Sequence, residues 1–453
     1  MSDLPVSKNQ DITLTIDALN SEGNGVGRVN GLAVFVPGAL AGETVNAHVI
    51  KLASGYAIAK LCGVTTASED RIVPPCASFT VCGGCTLQHL SYAAQLEYKQ
   101  KLVRDALERI GGLSDITVQS VLGMDNPWNY RNKASFPISE SDGRVVCGFY
   151  AQRSHRITPI EGCAIQDKRI NAIPTSVCDW ANRYGISAYN ELTGKGMLRH
   201  VMVRTTDSGE LMAVIVTTGI LPHKDELIDA ICACSVSVRS IIHNINPRNT
   251  NVILGNSYKT IYGSDHITET LCGMRFDVSA ASFLQVNHAQ TQRLYASALD
   301  ALDLNGSEHV LDVYCGIGSI SLLLAARARS VTGIESVPEA IADARKNAML
   351  NGITNAEFVC GNAEDILPKF IENGIPPDAI VVDPPRKGCD PKAIDAIIRC
   401  NAQKLVYISC NPATLARDCK LLVEGGFKLK YIQPVDMFPH SSHVEVVILL
   451  VKE

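Results

Sequence analysis

A short apolar run that ends in a thiol is the most chemically suggestive stretch of this 453-residue chain. Leu405-Val-Tyr-Ile-Ser-Cys410 is followed by Asn411 and Pro412. Such a run fits a buried strand. Pro412 cannot donate to a sheet ladder, so the strand is expected to stop near Cys410. The thiol then stands at the mouth of a sheet, where open α/β folds bind ligands. Cys410 is therefore a candidate nucleophile, although packing is the commoner fate of an isolated cysteine. A second candidate is Glu445, in His443-Val-Glu-Val-Val-Ile-Leu-Leu450. A carboxylate inside an apolar strand is costly unless it has a partner or a task. The alternative is a surface glutamate on an edge strand.

The sixteen cysteines do not make a short secreted framework, so metal ligation or catalysis is a better reading than disulfides. Three of them, Cys76, Cys82 and Cys85, fall within ten residues, the last two flanking Gly83-Gly84. The glycines let a tight loop aim both sulfurs at one centre and leave backbone N–H groups for them. Cys147 and Cys163 are the near candidates for a fourth ligand. Cys163, in the short polar turn Glu161-Gly-Cys-Ala164, is the better placed. Zinc and an iron–sulfur cluster both accept four thiolates.

The elements that must position Cys410 lie in the last 170 or so residues, where strand-like and helix-like segments alternate, the mark of a parallel sheet with crossover helices. His309-Val-Leu-Asp-Val-Tyr314-Cys-Gly316-Ile-Gly318-Ser319 reads as a strand, a Gly-rich turn and the start of a helix over 320–327. Glycines there let a ligand approach the helix's first turn. Glu335 closes the next strand, Val331–Glu335, about twenty residues on, where an acid can accept from both hydroxyls of a ribose. A third strand, Ala356–Cys360, leads to Asn362, placed to touch an adenine. A fourth, from Ala379, ends in Asp383-Pro384-Pro385-Arg386, which projects a carboxylate and a rigid backbone into the cleft.

The remainder of the chain reads as two further units. Residues 11–66 carry short strands, around 11–16, 32–36, 44–50 and 56–61 among others, and fit a five-stranded OB-like barrel. The glycines of Glu22–Arg28 are read there as turn chemistry; no Lys-Ser or Lys-Thr follows them, so they make no P-loop. Ser91–Ile110 is the clearest helix, stopped by Gly111-Gly112, with its lysines and arginines on a solvated face. Residues 125–280 look mixed, with strands near 201–205, 211–217 and 240–244. Asn129-Tyr-Arg-Asn-Lys133, Arg144, Arg153, His155 and Arg156 interleave cations with an aromatic ring, a pattern suited to phosphate contact and base stacking. A net charge of −5 argues against a wholly basic nucleic-acid binder but leaves room for a local basic surface. No apolar run reaches the roughly 18 residues of a membrane span, and Met1–Gln10 is polar, without a secretory core, so a cytoplasmic location is expected. Nothing indicates an obligate protein partner, and a monomer is expected.

Taken together these motifs resemble the 23S ribosomal RNA (uracil-5-)-methyltransferase family over nearly the whole chain. The resemblance implies a multidomain α/β protein. It assigns 1–66 to a TRAM barrel of OB type, 67–90 and 125–280 to a central α+β RNA-binding domain with an iron–sulfur site, and 91–124 with 281–453 to a Rossmann-like, class I methyltransferase domain that depends on S-adenosylmethionine. Cys76, Cys82, Cys85 and Cys163 match the family's four ligands, and the family selects a [4Fe–4S] cluster over zinc. Phe283-Leu-Gln285-Val-Asn287 resembles the motif whose glutamine lines the active site. Tyr314, Gly316, Gly318, Ser319, Glu335, Asn362 and Asp383 fall at the cofactor pocket; Tyr314 stands where phenylalanine is common, Ser319 where asparagine is. The Ser-Cys410-Asn-Pro stretch matches the nucleophile motif and His443-Val-Glu445 the base motif. The implied reaction is methyl transfer to C5 of a uridine in 23S ribosomal RNA, with Cys410 adding to C6 and Glu445 removing the C5 proton. The same chemistry on a transfer RNA uridine is the alternative. The spacing of Cys76, Cys82 and Cys85, five residues and then two, does not suit the radical clusters of methylthiotransferases.

Overall fold

The computed structural model describes residues 4–372 and 376–452. Met1–Asp3 of the polar amino-terminal stretch therefore lie outside the described residues, as do 373–375 and Glu453. Among the described residues no helix is long and apolar enough to cross a membrane.

Strict alternation of apolar and polar residues makes Asp11–Leu19 a strand with one buried face. With Gly25–Val29, Leu32–Val36, Thr44–Leu52 and Tyr56–Thr66 it closes a five-stranded barrel around Val34, Val45 and Ala57. The expectation that Glu22–Arg28 is turn alone needs correction. Gly23 has φ +79° and turns the chain, but Gly25 and Gly27 lie within a strand. A Cβ on Gly27 would come within 2.2 Å of the Thr15 carbonyl oxygen, so the small residue is required by how closely two strands approach.

The middle of the chain forms a seven-stranded sheet in the order Ser257–Gly263, Val238–Ile245, Leu211–Thr217, Leu198–Thr205, Lys133–Ser141, Arg144–Tyr150, Ile157–Pro159. Its two central strands are buried throughout, with helices Ala172–Arg183 and Lys224–Cys232 packed against the sheet. A separate hairpin, His266–Leu271 with Met274–Ser279, leads into the last unit.

There a second seven-stranded sheet runs Ala356–Cys360, Ser330–Glu335, His309–Val313, Ala379–Val382, Lys404–Ser409, Glu445–Lys452, Phe427–Val435. The first five strands are parallel, and Glu445–Lys452 is antiparallel to both of its neighbours. Apolar clusters cover the sheet, which is why its inner strands are continuous apolar runs. Strand order reverses between His309–Val313 and Ala379–Val382, the switch point at which such sheets open a crevice. Glu445 opens an internal strand, so the alternative of a surface glutamate on an edge strand falls away.

Helix Tyr92–Arg109, capped by the Ser91 hydroxyl, packs Val103 and Leu107 into this same core. Its cations are not all solvated as expected. Lys99 is fully buried and paired with Asp436; it also donates to the Phe438 carbonyl at 3.0 Å. Tyr92 donates to the other Asp436 oxygen at 2.8 Å. The helix is thereby pinned to the segment that precedes Glu445.

Candidate active site

Each of the five parallel strands delivers one expected residue to a single cavity of about 570 Å³ at their carboxyl ends. Gly316 follows the His309–Val313 strand, Glu335 closes the next, and Asn362, Asp383 and Cys410 follow the other three. Tyr314, Gln285 and Glu445 line the cavity too. Local sequence explains the placement: an apolar run ends, and Gly, Asn-Pro or Asp-Pro-Pro opens the turn.

The loop after the first strand is held by backbone bonds. The Tyr314 and Cys315 N–H groups donate to the Ile334 carbonyl at 2.9 and 3.0 Å. Tyr314 adopts φ +70°, a conformation rare for a bulky residue and common at functional sites. The Glu335 carboxylate accepts from the N–H groups of Gly316 at 3.3 Å and Val337 at 2.9 Å, which fixes it across the loop. Asn362 donates to Asp365 at 3.1 Å. Asp312 lies beneath, buried and bonded to the Ser321 hydroxyl, and burial beside Glu335 lifts its carboxyl to about 7.

Two expected cofactor residues are not among those lining the cavity. Gly318 packs helix on sheet: a Cβ there would reach Ala344 and Phe358 at 3.2 Å. The Ser319 hydroxyl lies 3.0 Å from that of Tyr295, its partner on helix His288–Leu302.

Gln285 is buried, and its backbone is held from the middle of the chain: Asn132 donates through Nδ2 to the Gln285 carbonyl at 3.3 Å and through its backbone N–H to that of Val286 at 2.8 Å.

The Lys404–Ser409 and Glu445–Lys452 strands pair antiparallel, with Ser409 against Val446. One step further along that register, Cys410 comes opposite Glu445. Glu445 is 3% exposed, and its Oε2 has no hydrogen-bond partner. Burial, reinforced by the Asp383 carboxylate, raises Glu445 to about 8; Arg386 opposes the rise. Burial, with Asp312 near, brings Asp383 to about 7. The Cys410 thiol is pushed up to about 11 by burial and by Glu445, with Arg386 again opposing. A thiol, two carboxyls that hold protons near neutrality and the Arg386 cation thus share a site. That is the equipment of nucleophilic attack coupled to proton removal.

Sequence reasoning gave no role to Arg386 or to Phe283, Phe438 and His443, all of which line the cavity. For Arg386 the available signal was its position three residues after Asp383 at a strand end. Its carbonyl accepts from Asn411 Nδ2 and from the Thr414 hydroxyl, both at 3.2 Å, so the Asp383 and Cys410 loops are tied together.

The four expected metal-ligating cysteines also converge. Cys85 feels Cys163, Cys82 and Cys76, and Cys163 feels Cys82 and Cys76; burial and the neighbouring sulfurs raise Cys82, Cys85 and Cys163, Cys85 to about 12. Backbone N–H groups face the sulfurs, Gly84 donating to Cys82 at 3.4 Å and Ile165 and Gln166 to Cys163. The Cys147 thiol instead hydrogen-bonds with the free Cys178 thiol in the core of the middle sheet. Among the described residues no three His, Cys, Asp or Glu side chains gather tightly enough to hold a single metal ion.

Known proteins bear out the family resemblance. Residues 91–453 match the model of the tRNA (uracil-5-)-methyltransferase family, and residues 5–62 match the TRAM domain. An uncharacterized RNA methyltransferase of Halalkalibacterium halodurans is 47% identical over 98% of both chains. One from Clostridium tetani is 45% identical over 99% of this chain and 98% of its own. The crystal structure of Pyrococcus abyssi tRNA (uracil-54, C5)-methyltransferase in complex with S-adenosyl-L-homocysteine superimposes with a TM-score of 0.79 and 28% identity, covering 97% of this chain and 100% of that one. The chain therefore belongs to the RNA (uracil-5-)-methyltransferase family and carries a TRAM domain ahead of its methyltransferase core.

Proposed function

We propose that this protein methylates C5 of a uridine in 23S ribosomal RNA, with Cys410 as nucleophile and Glu445 as base. The observation that carries the reading is the placement of both side chains on one cavity, in register across two strands. Uracil C5 is too weak a nucleophile to be methylated unaided. The Cys410 thiol loses its proton to water, the resulting thiolate bonds to C6, and the C5–C6 π pair becomes an enolate whose C5 can attack. S-adenosylmethionine, when bound, supplies the electrophilic methyl group that C5 takes up. Glu445 then accepts the C5 proton; the C5–C6 double bond re-forms as the Cys410–C6 bond breaks, and the thiolate is released. Glu335 and Asn362 suit the hydroxyls and base of the cofactor's nucleoside, and the Gly316 backbone permits its close approach. Gln285 and Asp383 flank the space left for the uracil edge. The target base must leave its stack to reach Cys410.

Cys76, Cys82, Cys85 and Cys163 fit a [4Fe–4S] cluster: four mutually sensitive thiols with N–H donors directed at sulfur suit a cluster, which holds its thiolates further apart than one ion does. The group would act as a structural staple, because the methyl transfer has no redox step. A transfer RNA uridine is the second reading, favoured by the likeness to the Pyrococcus abyssi enzyme. The resemblance of the cysteine quartet supports the ribosomal reading. Mapping 5-methyluridine in both RNAs from a cytoplasmic extract of a deletion strain decides between them. A site lost from 23S ribosomal RNA supports the proposal; a site lost only from transfer RNA overturns the substrate assignment.

A further inference from the structure

Cys410 is reached from two sides. A second cavity of about 410 Å³ shares Cys410, Arg386 and His443 with the first, but none of Glu445, Asp383 or Gln285. Its far wall comes from helix Tyr92–Arg109 and from Ser21, in the turn between the barrel's first two strands. Leu102, Ala106, Ala413 and Val444 give it an apolar floor. Ile110, at the end of the helix, is 49% exposed at its edge and offers an apolar surface there. Arg109 stands beside it, three-quarters exposed and only loosely paired with Asp105 at 3.6 Å. Among the described residues the Arg386 guanidinium has neither a hydrogen-bonded nor an ion-paired partner.

We propose that this second cavity is a subsite for the nucleotide adjacent to the target uridine, its base against Ile110 and the apolar floor and its phosphate facing Arg109 and Arg386. The inference rests on the uridine reading above. Two observations carry it. A flipped base remains in its strand, so the chain must leave the catalytic cavity beside the nucleophile, and the second cavity adjoins the first at Cys410. An apolar surface rimmed by cations is also the pairing that unstacked RNA requires, since a base needs a flat apolar contact and the backbone needs positive charge. The barrel then does more than bind RNA at a distance: through Ser21 it closes one side of the subsite.

The test compares wild-type enzyme with Arg109→Glu and Ile110→Asp. The substrates are short RNA oligonucleotides carrying the mapped uridine, either intact or abasic at the preceding or the following nucleotide. On intact RNA each variant is expected to raise KM for RNA about tenfold, the range for loss of one stacked base, with kcat within about twofold of wild type. Binding of S-adenosylhomocysteine is expected to stay unchanged, which shows the fold intact. On one of the two abasic oligonucleotides the difference between variant and wild type should vanish. Unchanged KM on intact RNA overturns the subsite, and so does a KM ratio that persists on both abasic substrates. Wild-type enzyme that methylates no uridine in either RNA fails the parent reading instead, before any variant is compared.

Discussion

Cys410 and Glu445 stand one step beyond the last ladder pair, Ser409 with Val446, so the proposed nucleophile and the proposed base flank the same end of one strand pair. The ladder that fixes Ser409 against Val446 ends just before Cys410 and just after Glu445, and both side chains line one cavity. Each member of the pair should have its own signature. Cys410→Ala is expected to abolish methyl transfer. Glu445→Gln keeps the nucleophile but cannot accept the C5 proton, so turnover should fall by about 10²–10⁴ while a covalent RNA–protein adduct accumulates. A denaturing gel of the variant with substrate RNA reads this directly. Full turnover without an adduct would assign the base elsewhere.

The pH dependence follows from the same cluster. Glu445 at about 8 and Asp383 at about 7 both lie above the ordinary carboxylate range, because burial disfavours the anions and a neighbouring carboxylate, Asp383 for Glu445 and Asp312 for Asp383, adds to it. A raised pKa means that the proton is retained below it, so the free enzyme holds little ionised base at pH 6. The Cys410 thiol is raised as well, so its anion also grows with pH. kcat/KM should therefore climb from about pH 6.5 to 8.5. Arg386 lowers both Glu445 and Cys410, so Arg386→Ala should displace that rise to higher pH. Asp383 raises Glu445, so Asp383→Asn should move it to lower pH in whatever activity remains. A rate–pH profile that stays flat in the wild type, or moves the same way in both variants, contradicts this electrostatic account.

What was legible in the chain depended on the range of the interactions involved. The parallel strands and the residues at their ends could be read because apolar runs end locally in Gly, Asn-Pro or Asp-Pro-Pro, and each such ending is a loop at one edge of the sheet. The opposition of Cys410 and Glu445 could not, because 35 residues and an intervening strand separate them and the register is set only when the sheet forms. The contact between the Ser319 and Tyr295 hydroxyls was not legible either, because a motif position does not say which side of a helical turn a side chain takes. Lys99 was read as solvated because its partner, Asp436, lies more than three hundred residues away.

That Lys99–Asp436 pair gives a stability prediction. Both side chains are wholly buried, and both are also hydrogen-bonded, Lys99 to the Phe438 carbonyl and Asp436 to Tyr92. Removing one member of such a pair leaves an uncompensated charge in the interior, typically a loss of about 3–5 kcal/mol. Lys99→Met should lower the thermal midpoint substantially, and Lys99→Met with Asp436→Asn should recover part of the loss. Because Asp436 and Phe438 precede Glu445, the single variant is also expected to weaken binding of S-adenosylhomocysteine below its new midpoint. A single variant as stable as wild type would mean that the pair is not buried in solution.

The cysteine quartet is coupled to the catalytic segment by a short path, and this makes its metal content a question of active-site order. Immediately after Cys85, the backbone N–H groups of Thr86 and Leu87 both donate to the His440 carbonyl, at 2.9 and 3.0 Å. His440 has φ +66°, is buried, and stacks on Trp128 at 3.7 Å between ring centroids; its neighbours Phe438 and His443 line the catalytic cavity. Raised, crowded thiols are poor neighbours without a polycation, and metal binding would reverse that balance by favouring the thiolates. Protein purified without oxygen is therefore expected to contain about four irons per chain, as a [4Fe–4S] cluster requires, and to absorb visible light. Cys85→Ser should lose the iron, lower the thermal midpoint and loosen the 438–443 segment, measured as faster amide exchange there. Zinc in place of iron would overturn the cluster assignment, and unchanged exchange after loss of the metal would uncouple the quartet from the catalytic cavity.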